Sequence, residues 1–200
     1  MTKILNTSFS DLYYEKLING GLQEDPDQKA AVKKMQLVFE QIESFYQTSS
    51  GFSLNQFFSI TSDSEKPDIK GIYLWGGVGR GKTHLLDMFY DSLSFENKLR
   101  LHFHRFMQLI HESLEELRDF ELPLSKIAKD FSKKYRVICL DEIFVVDITD
   151  AMLLGELFKH LIEKGVTLLF TSNIEPSEQY KNFLQRARFL HAIDFLVKHS

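Results

Sequence analysis

The stretch Ile72-Tyr-Leu-Trp-Gly-Gly-Val-Gly-Arg-Gly-Lys-Thr83 decides how the rest of this 200-residue chain is read. Ile72 to Trp75 are apolar and read as a short buried strand. The next eight residues fit G-x-x-x-x-G-K-[ST], the loop that wraps the phosphates of a nucleotide. Its glycines let successive amide N–H groups turn inward into an anion-binding concavity. Lys82 supplies a point charge for the outer phosphates and Thr83 a hydroxyl for Mg²⁺. Leu85, Leu86, Phe89 and Leu93 follow at helical spacing, so the loop opens a helix whose N-terminal dipole also favours the anion. The candidate nucleotide-binding residues are therefore Gly76, Gly77, Val78, Gly79, Arg80, Gly81, Lys82, Thr83 and His84.

Downstream, Lys98 to Phe106 alternates Leu99, Leu101 and Phe103 against Arg100, His102 and His104, a strand pattern with one more polar face. Phe106, Ile110, Leu114 and Leu117 continue as a helix, and Leu124, Ile127, Ala128 and Phe131 mark another. Val137 to Leu140 is apolar at every position, as in a strand covered on both sides, and ends in Asp141-Glu142. Asp147 or Thr149 can cap a helix that runs through Leu153, Leu157 and Leu161 to a stop at Gly165. Val166 to Phe170, apolar apart from Thr167, is a second such strand, ending in Thr171-Ser172-Asn173, and helical patterns follow at Ser177 to Leu184 and Arg186 to Lys198. Strands alternating with helices predict an α/β fold, a parallel sheet with helices on both faces.

Upstream, Ser10 to Ile18 reads as a short helix stopped by Gly20 and Gly21. Asp25-Pro26 reads as an N-cap followed by proline at the first helical position, opening a helix with Ala31, Met35, Val38, Phe39, Ile42 and Phe45 on its apolar face. Thr48 to Asp68 is polar but carries Phe52, Phe57 and Phe58, so a docking loop is expected there. The expected organisation is an N-terminal helical segment with docking loop over 1–68 and a P-loop core over 69–200.

A net charge of -4 gives no electrostatic reason to expect nucleic acid as the main partner. The one cysteine, Cys139, lies inside an apolar run, which excludes a disulfide framework and a Cys-based metal site and fits a reducing, cytosolic setting. No stretch approaches the roughly 18 apolar residues of a membrane span. Met1 to Asp11 lacks the pattern of a secretory or mitochondrial leader.

In a parallel sheet, ligands collect at the carboxyl ends of the strands. Asp141 is thus expected to hold Mg²⁺, directly or through water, and Glu142 to serve as the general base for an attacking water. Asn173 would hold that water or sense the γ-phosphate. Leu99 to Phe131 places a whole strand and its helices between the P-loop helix and the Asp141 strand, an arrangement that favours ATPases with an adjacent glutamate. No Asn-Lys-x-Asp sequence is present to read guanine, since Asn97-Lys98-Leu99-Arg100 lacks the Asp. Arg186 and Arg188 are placed where an arginine could reach the γ-phosphate of a neighbouring subunit. His102, His104 and His111 lack the carboxylates or cysteines of a ligand set, and Lys126, Lys129, Lys133, Lys134 and Arg136 read as a solvated helix face.

These motifs resemble a known family, the ZapE-like AAA+ ATPases, which has a bacterial cell-division branch and mitochondrial relatives. The resemblance runs through GIYLWGGVGRGKTHLLDMFYD (Gly71 to Asp91), LHFHRFM (Leu101 to Met107), CLDEIFVVDITDAMLL (Cys139 to Leu154), Thr171 to Asn173 and LQRARFL (Leu184 to Leu190), and reaches back to Asp25-Pro-Asp-Gln28. It implies that Gly76 to Thr83 is Walker A, Asp141 and Glu142 are Walker B, Asn173 is sensor 1 and Arg186 the arginine finger. It also implies a P-loop NTPase of the AAA+/ASCE type, driven by ATP with Mg²⁺, cytoplasmic, peripheral to the inner membrane at the division site, acting on a protein partner and as a homo-oligomer. This chain departs from the family pattern at Ile143, Phe183 and His191. Family members continue past the position of Ser200 with a fifth strand and a lid, so the expectation is a phosphate cradle without them, in which binding outlasts turnover. The rival expectation is a nucleotide-binding interaction protein without useful catalysis.

Overall fold

The structure, a computed structural model, describes residues 8–21, 24–50 and 69–175. The chain divides into two compact units, one containing Met1–Ile69 and His84–Glu96, the other Lys70–Thr83 and Asn97–Ser200. The docking loop expected after Thr48 lies outside the described residues from 51 to 68, as do the two helices expected after Ser177.

In the first unit, α1 (Phe9–Ile18) opens on a reciprocal cap. The Asp11 amide donates to Ser8 Oγ at 3.2 Å and the Ser8 amide to the Asp11 carboxylate at 3.3 Å. The second helix, α2 (Pro26–Ser50), starts as expected, with Asp25 Oδ1 accepting from the Asp27 amide at 2.9 Å. α1 contributes Phe9 and Tyr13 to a core that α2 fills with Met35, Phe39 and Ile42. Phe9 and Phe39 both meet Phe89 of α3 (Lys82–Ser92) edge-on, with ring centroids 5.6 and 5.9 Å apart. Glu43, buried in this unit, is satisfied by the Ser94 amide and hydroxyl at 2.7 and 2.6 Å.

The second unit is a four-stranded parallel sheet in the order β1-β4-β3-β2. The strands are β1 (Ile72–Trp75), β2 (Lys98–His102), β3 (Val137–Asp141) and β4 (Thr167–Ser172). The two central strands, β3 and β4, are buried at every position, which is why they read as mainly apolar runs, with Thr167 as the one polar residue before their polar ends. Against Ile138, Leu140, Leu168 and Phe170 pack Phe106 and Ile110 of α4 (Phe103–Glu116), Ile127 and Ala128 of α5 (Pro123–Lys134), and Leu154, Leu157 and Leu161 of α6 (Ile148–Glu163). Asp147 caps α6, accepting from the Thr149 amide at 2.6 Å, and those bonds hold its carboxyl below the usual carboxylate range.

One boundary differs from the sequence reading. The alternation from Lys98 to Phe106 predicts one strand, but the chain turns helical at Phe103. Phe103, Phe106, Met107 and Ile110 recur at helical spacing and are all buried, whereas β2 is a half-buried edge strand, so the helical period wins once both periods compete. Gly71, just before β1, runs so close to β4 that a Cβ there would lie 2.5 Å from the Leu168 carbonyl oxygen.

Candidate nucleotide site

β1, β3 and β4 end on the same edge of the sheet, and their exits carry the expected residues. After β1 the loop turns through Gly79 and Gly81 at φ 79° and 77°, a left-handed conformation that glycine adopts without steric cost. Val78 at the loop tip is 85% exposed, and Arg80 and Thr83 are exposed as well. Lys82 folds back over this loop: its Nζ donates to the Gly76 and Gly77 carbonyls at 2.8 and 2.9 Å and to Asn173 Oδ1, beyond β4, at 2.9 Å. Burial pushes the Lys82 ammonium below its ordinary value and nearby Arg80 adds to this, while the charge of Glu142 pulls the other way. His84, next but one along α3, has its Nε2 3.5 Å from Lys16 Nζ.

After β3 the geometry is of another kind. Asp141 is almost fully buried and accepts from Arg100 of β2 through Nε at 2.9 Å and Nη2 at 2.8 Å, both on Oδ2. The Thr171 hydroxyl donates to its Oδ1 at 3.3 Å. Glu142 is exposed and has φ 57°, the one positive φ outside glycine among the described residues. Its amide donates to Thr171 Oγ1 at 2.9 Å, and the Ile143 amide to the Thr171 carbonyl at 2.8 Å. Ser172 Oγ donates to the Ile143 carbonyl at 2.9 Å and accepts from the Ile174 amide at 3.1 Å.

The sequence-predicted residues Lys82, Asn173, Asp141 and Glu142 thus meet at one sheet edge, while Arg186 lies outside the described residues. For a hard divalent cation the oxygen donors present are the Thr83 hydroxyl and Asp141, whose Oδ1 carries a single long hydroxyl bond. Arg100, Thr171 and Ser172 have no place among the predicted site residues. A basic residue on the polar face of β2 and polar residues closing an apolar strand were the available signals. His102 and His104 stack on each other with centroids 6.0 Å apart, and His111 pairs with Asp150 at 3.0 Å. No group of three metal-capable side chains occurs among the described residues. In the basic stretch, Lys126 and Lys133 both pair with Asp130.

Comparison with known proteins gives a consistent result. The profile of the AFG1-like ATPase family matches residues 7–200. The chain is 45% identical over 192 residues to the cell division protein ZapE of Escherichia coli K12, covering 94% of this chain and 51% of that protein. It is 39% identical over 150 residues to the lactation elevated protein 1 homolog B of Danio rerio, covering 68% of this chain and 30% of that protein. It therefore spans about half or less of the length of these relatives. Among solved structures, AMPPCP-bound DnaA from Aquifex aeolicus superposes with a TM-score of 0.55 at 14% identity, over 92% of this chain and 46% of that one, a likeness of fold alone. That fold is the P-loop AAA+ fold. No helix among the described residues is long and apolar enough to cross a membrane.

Proposed function

The chain belongs to the AFG1-like ATPase family, and from that membership we propose that it binds ATP with Mg²⁺ and hydrolyses it to ADP and phosphate, as a ZapE-like ATPase associated with bacterial cell division. The observation that carries this reading is the seat of Lys82, whose ammonium rests on the Gly76, Gly77 and Asn173 oxygens. These three partners bear no formal charge, so exchanging them for anionic phosphate oxygens adds the attraction between opposite charges to bonds that the ammonium already makes. The loop glycines present backbone N–H groups to the same phosphates.

Thr83 and Asp141 are the residues assigned to Mg²⁺, which when bound neutralises charge on the phosphate oxygens. Glu142 takes a proton from water as its oxygen attacks the γ-phosphorus. The bond from that phosphorus to the bridging oxygen breaks, and ADP leaves with the electron pair. Asn173 orients the water and Lys82 stabilises charge on the γ-phosphate oxygens. Arg186 is assigned the same task across a subunit boundary in a homo-oligomer. The cellular setting that goes with this reading is the cytoplasm, at the inner membrane or division site, with a protein partner from the division machinery.

The test pairs two variants. Lys82→Ala should weaken Mg-ATP binding by about 100-fold, about 2.8 kcal/mol, read from the fluorescence of Trp75, the one tryptophan, which adjoins Gly76. Glu142→Gln should keep binding and lose steady-state hydrolysis. Equal binding by Lys82→Ala and the parent overturns the site. Parent and Glu142→Gln turning over at the same background rate favours the nucleotide-binding interaction protein instead.

A further inference from the structure

Thr171 stands where the three strand exits come together. It pairs with Leu74 of β1 in the ladder, while the β3·β4 register closes one residue earlier, at Leu140 and Phe170. On its other side β3 stays paired one residue further, His102 with Asp141, and the contacts that hold the turn beyond it include both the side chain and the main chain of Thr171. The residue is 1% exposed, so its hydroxyl must find its partners in the protein. It has one proton to give and lone pairs to accept with. The proton goes to Asp141 Oδ1, which as a carboxylate oxygen can only accept, and this turns a lone pair toward the Glu142 amide.

That amide belongs to a residue with left-handed backbone, which glutamate adopts only under constraint. That φ sets the direction in which the Glu142 side chain leaves the backbone, and its carboxylate lies near enough to Lys82 for its charge to act on the ammonium. We infer that Thr171 is a positioning residue, whose hydroxyl ties the carboxylate of Asp141 to the backbone of Glu142 and so fixes the direction in which the Glu142 carboxylate meets the attacking water. The inference rests on the hydrolase reading above and adds to it the device that aims the base. Neither the β-strand pattern nor the phosphate loop requires a hydroxyl at this position; valine would fill the same space in a buried strand.

The experiment uses Thr171→Val, which removes the hydroxyl at nearly constant shape, and Thr171→Ser, which keeps it. Steady-state hydrolysis by Thr171→Val should show kcat lowered by about ten-fold or more, with KM for Mg-ATP within about three-fold of the parent. Thr171→Ser should recover most of the parental kcat. A Thr171→Val protein with parental kcat, or a Thr171→Ser protein as slow as Thr171→Val, overturns the inference. So does a loss confined to KM, which would assign the hydroxyl to nucleotide binding through Asp141. Amide hydrogen exchange separates this outcome from failure of the hydrolase reading. The Glu142 amide should exchange faster in Thr171→Val and not in Thr171→Ser, while the Ile143 amide, bonded to the Thr171 carbonyl, stays protected in both and reports an intact fold. If the parent hydrolyses no faster than Glu142→Gln, the hydrolase reading fails on its own terms. Exchange at Glu142 that is identical in all three proteins overturns the positioning role whatever the turnover.

Discussion

The turn after β1 and the turn after β3 lie at one edge of the sheet and are built in opposite ways. The first is made by its own sequence: glycines occupy the left-handed positions, and two of the three oxygens that seat Lys82 are carbonyls of the same loop. The second puts a glutamate in left-handed backbone and holds it with Arg100, Thr171 and Ser172, residues brought in by neighbouring strands. Local composition makes the glycine-rich turn, whereas the turn after β3 exists only inside the assembled sheet. The first should therefore tolerate damage elsewhere, and the second should fail whenever a neighbour changes.

The largest effect expected from this contrast is at Arg100. Arg100→Met leaves the Asp141 carboxylate buried without its guanidinium, a loss of about 3 kcal/mol at neutral pH. Urea unfolding monitored by circular dichroism checks it. A loss below about 1 kcal/mol would show that the second turn does not depend on β2.

Next comes Gly71→Ala, which drives a methyl group into the Leu168 backbone and should cost about 2 kcal/mol, since the obstacle is main chain and cannot rotate aside. An alanine at Gly77, where a Cβ meets nothing, should by contrast leave stability unchanged.

The comparison is sharpest in a mirrored pair. Gly79→Ala places a Cβ in left-handed backbone and should cost about 1 kcal/mol. Glu142→Gly removes one from the same kind of backbone and should give a change of under about 1 kcal/mol, toward greater stability, while abolishing turnover. Equal and opposite signs in urea denaturation would confirm that strain is stored at the second turn and not at the first.

The smallest effect lies in the helical unit. Burial first, and then the charge of Lys16, push the His84 imidazole below its ordinary value near 6.5. The unfolded chain then binds more protons than the folded one, so this contribution is fully present above the ordinary value and is lost as pH falls through the folded one. The midpoint of thermal unfolding should drop as pH is lowered from about 8 to about 5.5, and His84→Gln should flatten part of that slope without altering either turn.

Much of the fold was legible because its signals are periodic. Central strands covered on both faces gave an unbroken apolar run at Val137–Leu140 and one broken only by Thr167 at Val166–Phe170, and capping chemistry marked the starts of α2 and α6 at Asp25 and Asp147. The boundary at Phe103 was not legible, since alternation from the edge strand and helical spacing from α4 overlap for several residues, and only burial decides between them. In the candidate site, Lys82, Asp141, Glu142 and Asn173 are expected from their places after strands, and the structure brings them to one edge of the sheet. Arg100 and Thr171 showed only as polar residues of strands, a weak signal, because such a residue acquires its meaning from the partner strand's register.

The sequence by itself determined the phosphate loop, the parallel α/β class and the order of its elements, because glycine geometry, apolar periodicity and capping act over a few neighbouring residues. Only the tertiary structure decided that β4 lies between β1 and β3, that Arg100 reaches Asp141, and that Thr171 holds Glu142 in left-handed backbone. Of these contacts, the Arg100–Asp141 and Thr171–Glu142 hydrogen bonds join residues 41 and 29 positions apart along the chain. The hydrogen bonds and charge pairing that make them favourable arise once the strands are side by side and water has been excluded.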